Sequence, residues 1–222
     1  MLKNREMITK MESLKLFYED ALIPKDRILK TAEELKLEIE NIKKALSRRY
    51  EDDRASVNLP DDEEMLINVK GVIEEKISLQ PEYLIIIGIG GSNLGTLAVQ
   101  EAVLGKLYNL SAPPIKVLYA DTVDSDLLNN IIKILEPTLR RNGNVLINIV
   151  SKSGITTETI ANFRILLDLL RKYKKRYKDY VVATCDKGSK LWNLAVKKGF
   201  AALEIPQKVG GRYSVFSPVG LF

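Results

Sequence analysis

The stretch LIIIGIGGSNLG, residues 84–95, combines an apolar run with a glycine-rich turn. Four aliphatic residues lead into glycines, then a serine, and then a pattern typical of a helix. A buried strand that ends in a glycine turn and a helix N-terminus presents free backbone N–H groups to an anion. The stretch therefore predicts the first β–α unit of a sheet, with a phosphate site at its end. That phosphate belongs either to a dinucleotide or to a sugar.

The same alternation continues along the rest of the chain. Strand-like apolar runs at 83–89, 115–120, 145–150, 180–184 and 202–205 alternate with helical patterns at 93–106, 124–136, 156–176 and 189–198. Strands that are apolar on both faces are typical of a parallel sheet covered on both sides by helices. We therefore predict an α/β fold, a doubly wound parallel five-stranded sheet flanked by helices in a flavodoxin-like order. Ligands of such sheets bind beyond the carboxyl ends of the strands.

Residues 1–80 are predicted to form a helical N-terminal segment, followed by an α/β domain over 81–222. A helix from Lys25 to Tyr50 is indicated by apolar residues that recur at spacings of four and three along one stripe. These residues are Ile28, Ala32, Leu35, Ile39, Ile42 and Leu46. About three heptads is short for an independent coiled coil, so we expect the stripe to pack against a neighbouring domain. A second helix is expected over 61–79, opened by the acidic run DDEE.

The composition excludes several classes of partner and site. The net charge is +5 over 222 residues, and the basic residues are interspersed with acids, which argues against a nucleic-acid partner. No apolar run approaches the ~18 residues that cross a bilayer, so no membrane association is expected. The single cysteine, Cys185, suits a reducing, cytoplasmic compartment. With no histidine and one cysteine, the chain offers no imidazole base and no ordinary zinc site, and we expect no metal.

The glycine loop matches a dinucleotide fingerprint poorly. After Gly88 and Gly90 the pattern G-x-G-x-x-G requires a third glycine at 93, where this chain has Asn93, and Gly95 comes two residues late. Ser92 and Asn93 are instead candidate caps of the following helix. An acid that ends the second strand, Asp121, is still placed to imitate the ribose-binding acid. A Rossmann-type oxidoreductase therefore stays an alternative.

A second loop, SKSGITTET at 151–159, follows the third strand. Ser151, Ser153, Thr156 and Thr157 crowd hydroxyl groups around Gly154 at the head of a helix. Several hydroxyl donors and oriented backbone amides suit a phosphate monoester, which has three terminal oxygens to satisfy. Simple N-capping is the other explanation, although one cap needs only one hydroxyl.

A third loop, QKVGGRYSVFSPVG at 207–220, follows the fifth strand. Its glycines, Gly210 and Gly211, allow close backbone approach, and Arg212 comes directly after them. An arginine on a glycine turn at the ligand edge of a sheet can stabilise negative charge that develops during a reaction. Pro218 is expected at the first position of another helix.

Together the three loops resemble the phosphoglucose isomerase family. GIGGSNLG is similar to its first substrate loop, SKSGITTET to its phosphate loop S-K-T-F-T-T-x-E-T, and VGGRYSVFSPVG to its G-G-R-[FY]-S signature. The first two motifs also occur more loosely across the sugar isomerase (SIS) domain superfamily. The match in order and spacing covers about residues 80–222, which are thereby expected to form an SIS-type domain that binds sugar phosphate.

The resemblance implies interconversion of glucose 6-phosphate and fructose 6-phosphate through a cis-enediolate, without a metal or an organic cofactor. By motif, Gly91 and Ser92 would contact the substrate, and Arg212 would stabilise the enediolate. The phosphate would be held by Ser151, Lys152 through its backbone N–H, Ser153 and Thr156. In place of T-F-T this chain has Ser153, Gly154 and Ile155, which keep the first hydroxyl but lose an aromatic ring and a second hydroxyl.

The resemblance also implies what is missing. The family's general-base glutamate, ring-opening histidine and late lysine belong to a second SIS domain that this chain lacks. Glu158 lies beside the phosphate helix, where a base for proton transfer between C1 and C2 would be badly placed. We therefore expect a truncated isomerase chain that is inactive alone and homodimeric in its full-length form. A non-catalytic SIS module that senses sugar phosphate is the alternative.

Overall fold

The computed structural model describes residues 19–222, and the first 18 residues of the predicted helical segment lie outside this range. The chain divides into two units, with the boundary in the sequence between Lys43 and Lys44. Helix α1, Lys25–Ser47, confirms the long helix expected from the apolar stripe. Leu35 and Ile39 on that stripe are about half exposed, at 51% and 48%.

Residues 44–222 are built around a sheet of five parallel strands. The strands are β1 Pro81–Ile87, β2 Lys116–Ala120, β3 Asn144–Val150, β4 Val181–Cys185 and β5 Ala201–Glu204. Their order in the sheet is β2-β1-β3-β4-β5, which is the flavodoxin-like order and confirms the predicted fold class. Each strand lies within two residues of its predicted position, because the apolar runs that indicated the strands are also the buried ones.

Helices cover both faces of the sheet. The helices after α1 are α2 Glu63–Ile77, α3 Leu94–Leu104, α4 Ser125–Arg140, α5 Thr157–Tyr173, α6 Lys190–Lys198 and α7 Pro218–Leu221. The first face of the sheet, with Ile85, Ile147 and Ala183, packs against α4, α5 and α6 in the main core. On the opposite face, Leu146 and Val182 pack against Val69 of α2. The C-terminal segment also lies on this second face.

The helix ends follow the capping signals in the sequence. Ser189 caps α6 by accepting a hydrogen bond from the Trp192 N–H, and Gly199 ends that helix in the left-handed conformation at φ 75°. The acidic start of α2 works similarly, since the Asp62 carboxylate accepts from the Met65 N–H. Pro218 occupies the first turn of α7, after the cap Ser217.

Across residues 19–222, none of the helices is both long enough and apolar enough to cross a membrane.

Candidate functional site

The three loops singled out from the sequence all leave the carboxyl ends of strands. They follow β1, β3 and β5, which run parallel, so the loops emerge at one edge of the sheet. β1 lies between β2 and β3, and the strand order changes direction there. Such a switch point opens a crevice at the carboxyl edge, where open α/β sheets bind ligands.

The first loop is shaped by its glycines. A Cβ atom at Gly88 would lie 2.9 Å from the Ser92 Cβ and 3.2 Å from the Val150 carbonyl oxygen of the neighbouring strand. Gly90 adopts φ +59°, and Gly90–Ser92 forms one turn of 3-10 helix. Ser92 is half-buried in this turn. The loop can therefore lie close against the sheet edge, since Gly88 has no side chain.

Asn93 does not play the capping role that the sequence suggested. It occupies the N-cap position of α3, but its side chain forms no capping hydrogen bond. The residue is 1% exposed, and its Oδ1 and Nδ2 atoms have no hydrogen-bond partner among the described residues. The expectation of a side-chain cap at Asn93 is wrong, because the backbone turns through Asn93 with the side chain directed into the interior. The first-turn amides of α3 consequently remain without a side-chain acceptor from the cap.

The second loop orients its hydroxyl groups through backbone contacts. Ser151 is buried, and its N–H donates to the Thr184 carbonyl of β4 at 3.1 Å. The Ser151 and Thr156 hydroxyls lie 3.1 Å apart. Thr156 is the N-cap of α5 but makes no side-chain cap, so the first-turn amides of this 17-residue helix stay available to a ligand. Two hydroxyls beside an uncapped helix N-terminus form an arrangement that can bind an anion.

Lys152 and Ser153 lie at the outer side of this loop. The Lys152 carbonyl accepts a hydrogen bond from the Asp186 N–H at 3.0 Å, which joins the loop to the end of β4. Ser153 is exposed, and its hydroxyl accepts from the Ile155 N–H at 3.4 Å. Burial raises the pKa of the Asp186 carboxyl, and the Lys152 ammonium acts in the opposite direction. Asp186 is not among the residues singled out from the sequence, although its position directly after a strand is a usable signal.

The third loop docks on the first one. Residues Gly211–Tyr213 form a short 3-10 turn that presents Arg212 at the surface, with its guanidinium 5.9 Å from the centre of the Tyr213 ring. A Cβ atom at Gly91 would lie only 2.4 Å from the Gly211 carbonyl carbon and 2.8 Å from the Arg212 nitrogen. The two loops therefore touch backbone to backbone, which places Arg212 beside Gly91 and Ser92.

The candidate residues thus form two clusters at one sheet edge. Gly91, Ser92 and Arg212 make up the first, which we call the glycine–arginine cluster. Ser151, Lys152, Ser153 and Thr156 make up the second, which we call the hydroxyl loop. Gly88 lies between them, beside the end of β3. Within residues 19–222, no group of three or more acidic, cysteine or histidine side chains is arranged to hold a metal ion.

Cys185 ends β4 next to the hydroxyl loop and is fully buried. Burial raises the pKa of its thiol to about 11, against a smaller opposing effect of the Ser189 hydroxyl. At pH 8 such a thiol is ionised to only about one part in a thousand, compared with roughly a quarter for a free cysteine. We expect iodoacetamide to alkylate the folded chain at least ~100-fold more slowly than the chain unfolded in guanidinium.

The raised thiol pKa also makes stability depend on pH. The folded chain holds this proton above the unfolded pKa of about 8.5, so the free energy of unfolding should fall as pH rises from there towards the folded value. In the iodoacetamide experiment, rapid alkylation of the folded chain at pH 8 would contradict the buried placement of Cys185.

An open parallel sheet of five strands, with glycine, hydroxyl and arginine loops at its carboxyl edge, defines a doubly wound α/β domain. The family model of phosphoglucose isomerase matches residues 70–222, and the chain belongs to this family. This confirms the resemblance carried by the three motifs. It also argues against the dinucleotide alternative for the glycine loop.

Relatives and solved structures agree with this membership. Glucose-6-phosphate isomerase of Leptospira biflexa is 42% identical over 173 residues, which are 74% of this chain and 37% of that protein. A probable glucose-6-phosphate isomerase of Methanococcus maripaludis is 38% identical over 63% of this chain and 30% of its own length. The chain therefore spans about a third of the length of the curated relatives it matches.

Two crystal structures show similar folds. A hypothetical protein of Thermus thermophilus superposes with a TM-score of 0.69 at 31% identity, covering 86% of this chain and 43% of that one. A glucose-6-phosphate isomerase of Chlamydia trachomatis gives a TM-score of 0.58 at 26% identity, covering 71% of this chain and 28% of that one.

Proposed function

We propose that the carboxyl edge of the sheet binds a hexose 6-phosphate, and that the protein acts as a glucose-6-phosphate isomerase. The reaction interconverts glucose 6-phosphate and fructose 6-phosphate through a cis-enediolate. The single observation that carries this proposal is the docking of the arginine turn onto the glycine loop, where Gly91 and Gly211 touch. That contact places a cation beside the crevice, next to a loop equipped for phosphate.

In this proposal the hydroxyl loop binds the phosphate. Ser151, Ser153 and Thr156 offer hydroxyl groups, and Lys152 offers its backbone N–H. The Lys152 peptide is held from the other side, since its carbonyl accepts from the Asp186 N–H. The uncapped first turn of α5 adds the positive end of a helix dipole. Charge-assisted hydrogen bonds to a phosphate are roughly twice as strong as neutral ones, so this loop supplies most of the affinity.

The glycine–arginine cluster acts at the other end of the sugar. Gly91 and Ser92 contact the sugar oxygens, and Arg212 stabilises the negative charge of the enediolate. A fixed cation that lies where charge develops lowers the barrier without needing a nucleophile. As the family resemblance implies, the proposed reaction uses neither a metal nor an organic cofactor.

Residues 81–222 form an SIS-type half-site in this proposal, with α2 covering one face of its sheet. Large apolar side chains surround the crevice although they are more than half exposed, which supports a second polypeptide surface at this edge. We propose that a second SIS domain supplies the general base there, and that the full-length enzyme is a cytoplasmic homodimer. The exposed side chains are Leu94, Ile155, Tyr213 and Phe216.

The proposal is tested by calorimetric titration of the 222-residue chain with fructose 6-phosphate. We expect weak binding that is lost by at least ~10-fold in Ser151→Ala, because a charge-assisted hydrogen bond and the orientation of Thr156 are both removed. Ser111→Ala is the matched control, since Ser111 is exposed and precedes β2 at the opposite edge of the sheet. Equal affinity in all three proteins would contradict the site.

Turnover is tested separately. With no histidine in the sequence, we expect the 222-residue chain alone to convert fructose 6-phosphate at no more than a trace rate. Substantial isomerisation by the purified chain would refute the requirement for a second domain while leaving the binding site intact. Binding of NADH in preference to fructose 6-phosphate would instead restore the oxidoreductase alternative.

A further inference from the structure

Ser214 connects the two parts of the glycine–arginine cluster. It follows Arg212 by two residues and is 2% exposed. Its hydroxyl oxygen lies 2.7 Å from the Gly211 carbonyl oxygen within the arginine turn, and 3.3 Å from the Gly91 carbonyl oxygen of the glycine loop. One buried hydroxyl group therefore reaches both loops, which are 123 residues apart in sequence.

The surrounding packing leaves little freedom for this connection. The Ser214 N–H donates to the Gly211 carbonyl at 3.3 Å, and the Tyr213 N–H donates to the Gly210 carbonyl at 2.9 Å, so the turn is closed on itself. The Gly91 backbone presses directly on the Gly211 carbonyl. A hydroxyl carries a single proton, so Ser214 shares it between the two carbonyls that meet at this contact.

We propose that Ser214 is a positioning residue that holds the arginine turn on the glycine loop, so that Arg212 acts at the same end of the ligand as Gly91 and Ser92. This inference rests on the proposed function, because it assigns Ser214 to the Arg212 end of that site. Ser214 itself lies beneath the turn and touches no ligand. Its effect passes through the position of Arg212.

A second hydroxyl bridge joins the same two segments and provides the contrast. The Thr96 hydroxyl donates to the Val219 carbonyl at 2.9 Å, again across 123 residues. Thr96 lies in the first turn of α3 and Val219 in α7, so this bridge is farther along both segments from Arg212. A purely structural bridge should alter stability in either case, whereas only the Ser214 bridge should alter binding at the arginine end.

The test uses two ligands that separate the ends of the site. A five-carbon aldonate 5-phosphate carries a carboxylate where the enediolate oxygens would lie, and inorganic phosphate engages only the hydroxyl loop. In the 222-residue chain we expect Ser214→Ala to lower the affinity for the aldonate phosphate about 10-fold, the size expected for the loss of one buried hydrogen bond. The affinity for inorganic phosphate should change by less than about twofold. Thr96→Val should leave both affinities within about twofold while lowering the melting temperature.

A double-mutant cycle with Arg212→Ala identifies the route of the effect. If Ser214 acts through Arg212, the double variant should bind the aldonate phosphate less than about twofold more weakly than Arg212→Ala alone. Additive losses, or an equal loss of both ligands in Ser214→Ala, would overturn the positioning role. Should the alanine variant fail to fold, Ser214→Cys provides a side chain of similar shape with a weaker hydrogen-bond donor. The same ratio, the affinity for the aldonate phosphate over that for inorganic phosphate, is then measured in this variant.

The outcome for the unmodified chain separates this inference from the function on which it rests. Failure of the unmodified chain to bind either ligand would overturn the proposed site, and the role of Ser214 with it. Normal binding in the unmodified chain with an unchanged ratio of affinities in Ser214→Ala would overturn the role of Ser214 alone.

Discussion

Gly91→Ala is expected to separate the glycine loop from the arginine turn and to abolish binding at the arginine end of the site. Its Cβ would lie 2.4 Å from the Gly211 carbonyl carbon and 2.6 Å from its oxygen, so backbone has to move. Forcing a methyl group into a packed contact typically costs 1–3 kcal/mol, and with backbone on the other side we expect about 3 kcal/mol. Guanidinium unfolding gives the stability, and titration with an aldonate phosphate gives the affinity.

Gly211→Ala is the matched control for this prediction. Gly211 lies on the other side of the same contact, but a Cβ there would meet no atom within 4 Å. Its backbone also needs no left-handed conformation, since only Gly90, Gly105, Gly154, Gly188 and Gly199 among the described glycines have positive φ. We expect a change below about 0.5 kcal/mol. Equal losses in the two variants would show that the contact between the loops is not the cause.

Gly154→Ala is expected to disrupt the hydroxyl loop. Gly154 adopts φ +67°, and a Cβ there would lie 2.7 Å from the Leu191 nitrogen and 3.0 Å from the Ser189 hydroxyl oxygen. The left-handed backbone costs about 1–2 kcal/mol for alanine, and the clash with the first turn of α6 adds a similar amount. We expect a loss of about 3 kcal/mol in the free energy of unfolding. Weaker binding of inorganic phosphate should accompany it.

Gly188→Ala separates strain from steric clash. Gly188 has φ +80° in the turn just before α6, but a Cβ there would enter open space. The free energy of unfolding of this variant should therefore fall by only about 1 kcal/mol, which is the cost of a left-handed backbone for alanine. If Gly188→Ala is as damaging as Gly154→Ala, the packing of the hydroxyl loop on α6 contributes nothing.

The contact at Gly154 also explains a departure of this sequence from the family motif. The motif has phenylalanine where this chain has Gly154, and the structure leaves no room for any side chain between the loop and Leu191. In this protein the first turn of α6 packs directly on the loop backbone. An aromatic ring at this position would require α6 to lie farther away.

The late glycine of the first motif has a comparable explanation. Gly95 broke the dinucleotide pattern, and in the structure a Cβ there would lie 3.0 Å from the Val215 Cβ. The glycine is placed for a neighbour from the third loop, 120 positions away in the chain. Spacing within the first motif could exclude the dinucleotide fingerprint, but it could not reveal this partner.

The five strands, their parallel arrangement, the helices between them and the three loops at the ligand edge could all be predicted from the sequence. These features depend on local patterns, since burial on both faces, alternation with helices and capping residues act over a few neighbouring positions. Family membership also follows from contiguous motifs. Such patterns can be recognised in the sequence because the interacting residues lie close together along the chain.

The contacts between those loops could not be predicted from the sequence and are visible only in the folded chain. The docking of Gly91 on Gly211 and the bridge from Ser214 depend on backbone segments more than 100 residues apart. The hydrogen bond from Asp186 to Lys152 likewise joins the ends of two neighbouring strands. Such contacts are set by the strand order and by approaches of a few ångströms between backbones. No pattern within a single loop encodes them, because each loop supplies only half of the contact.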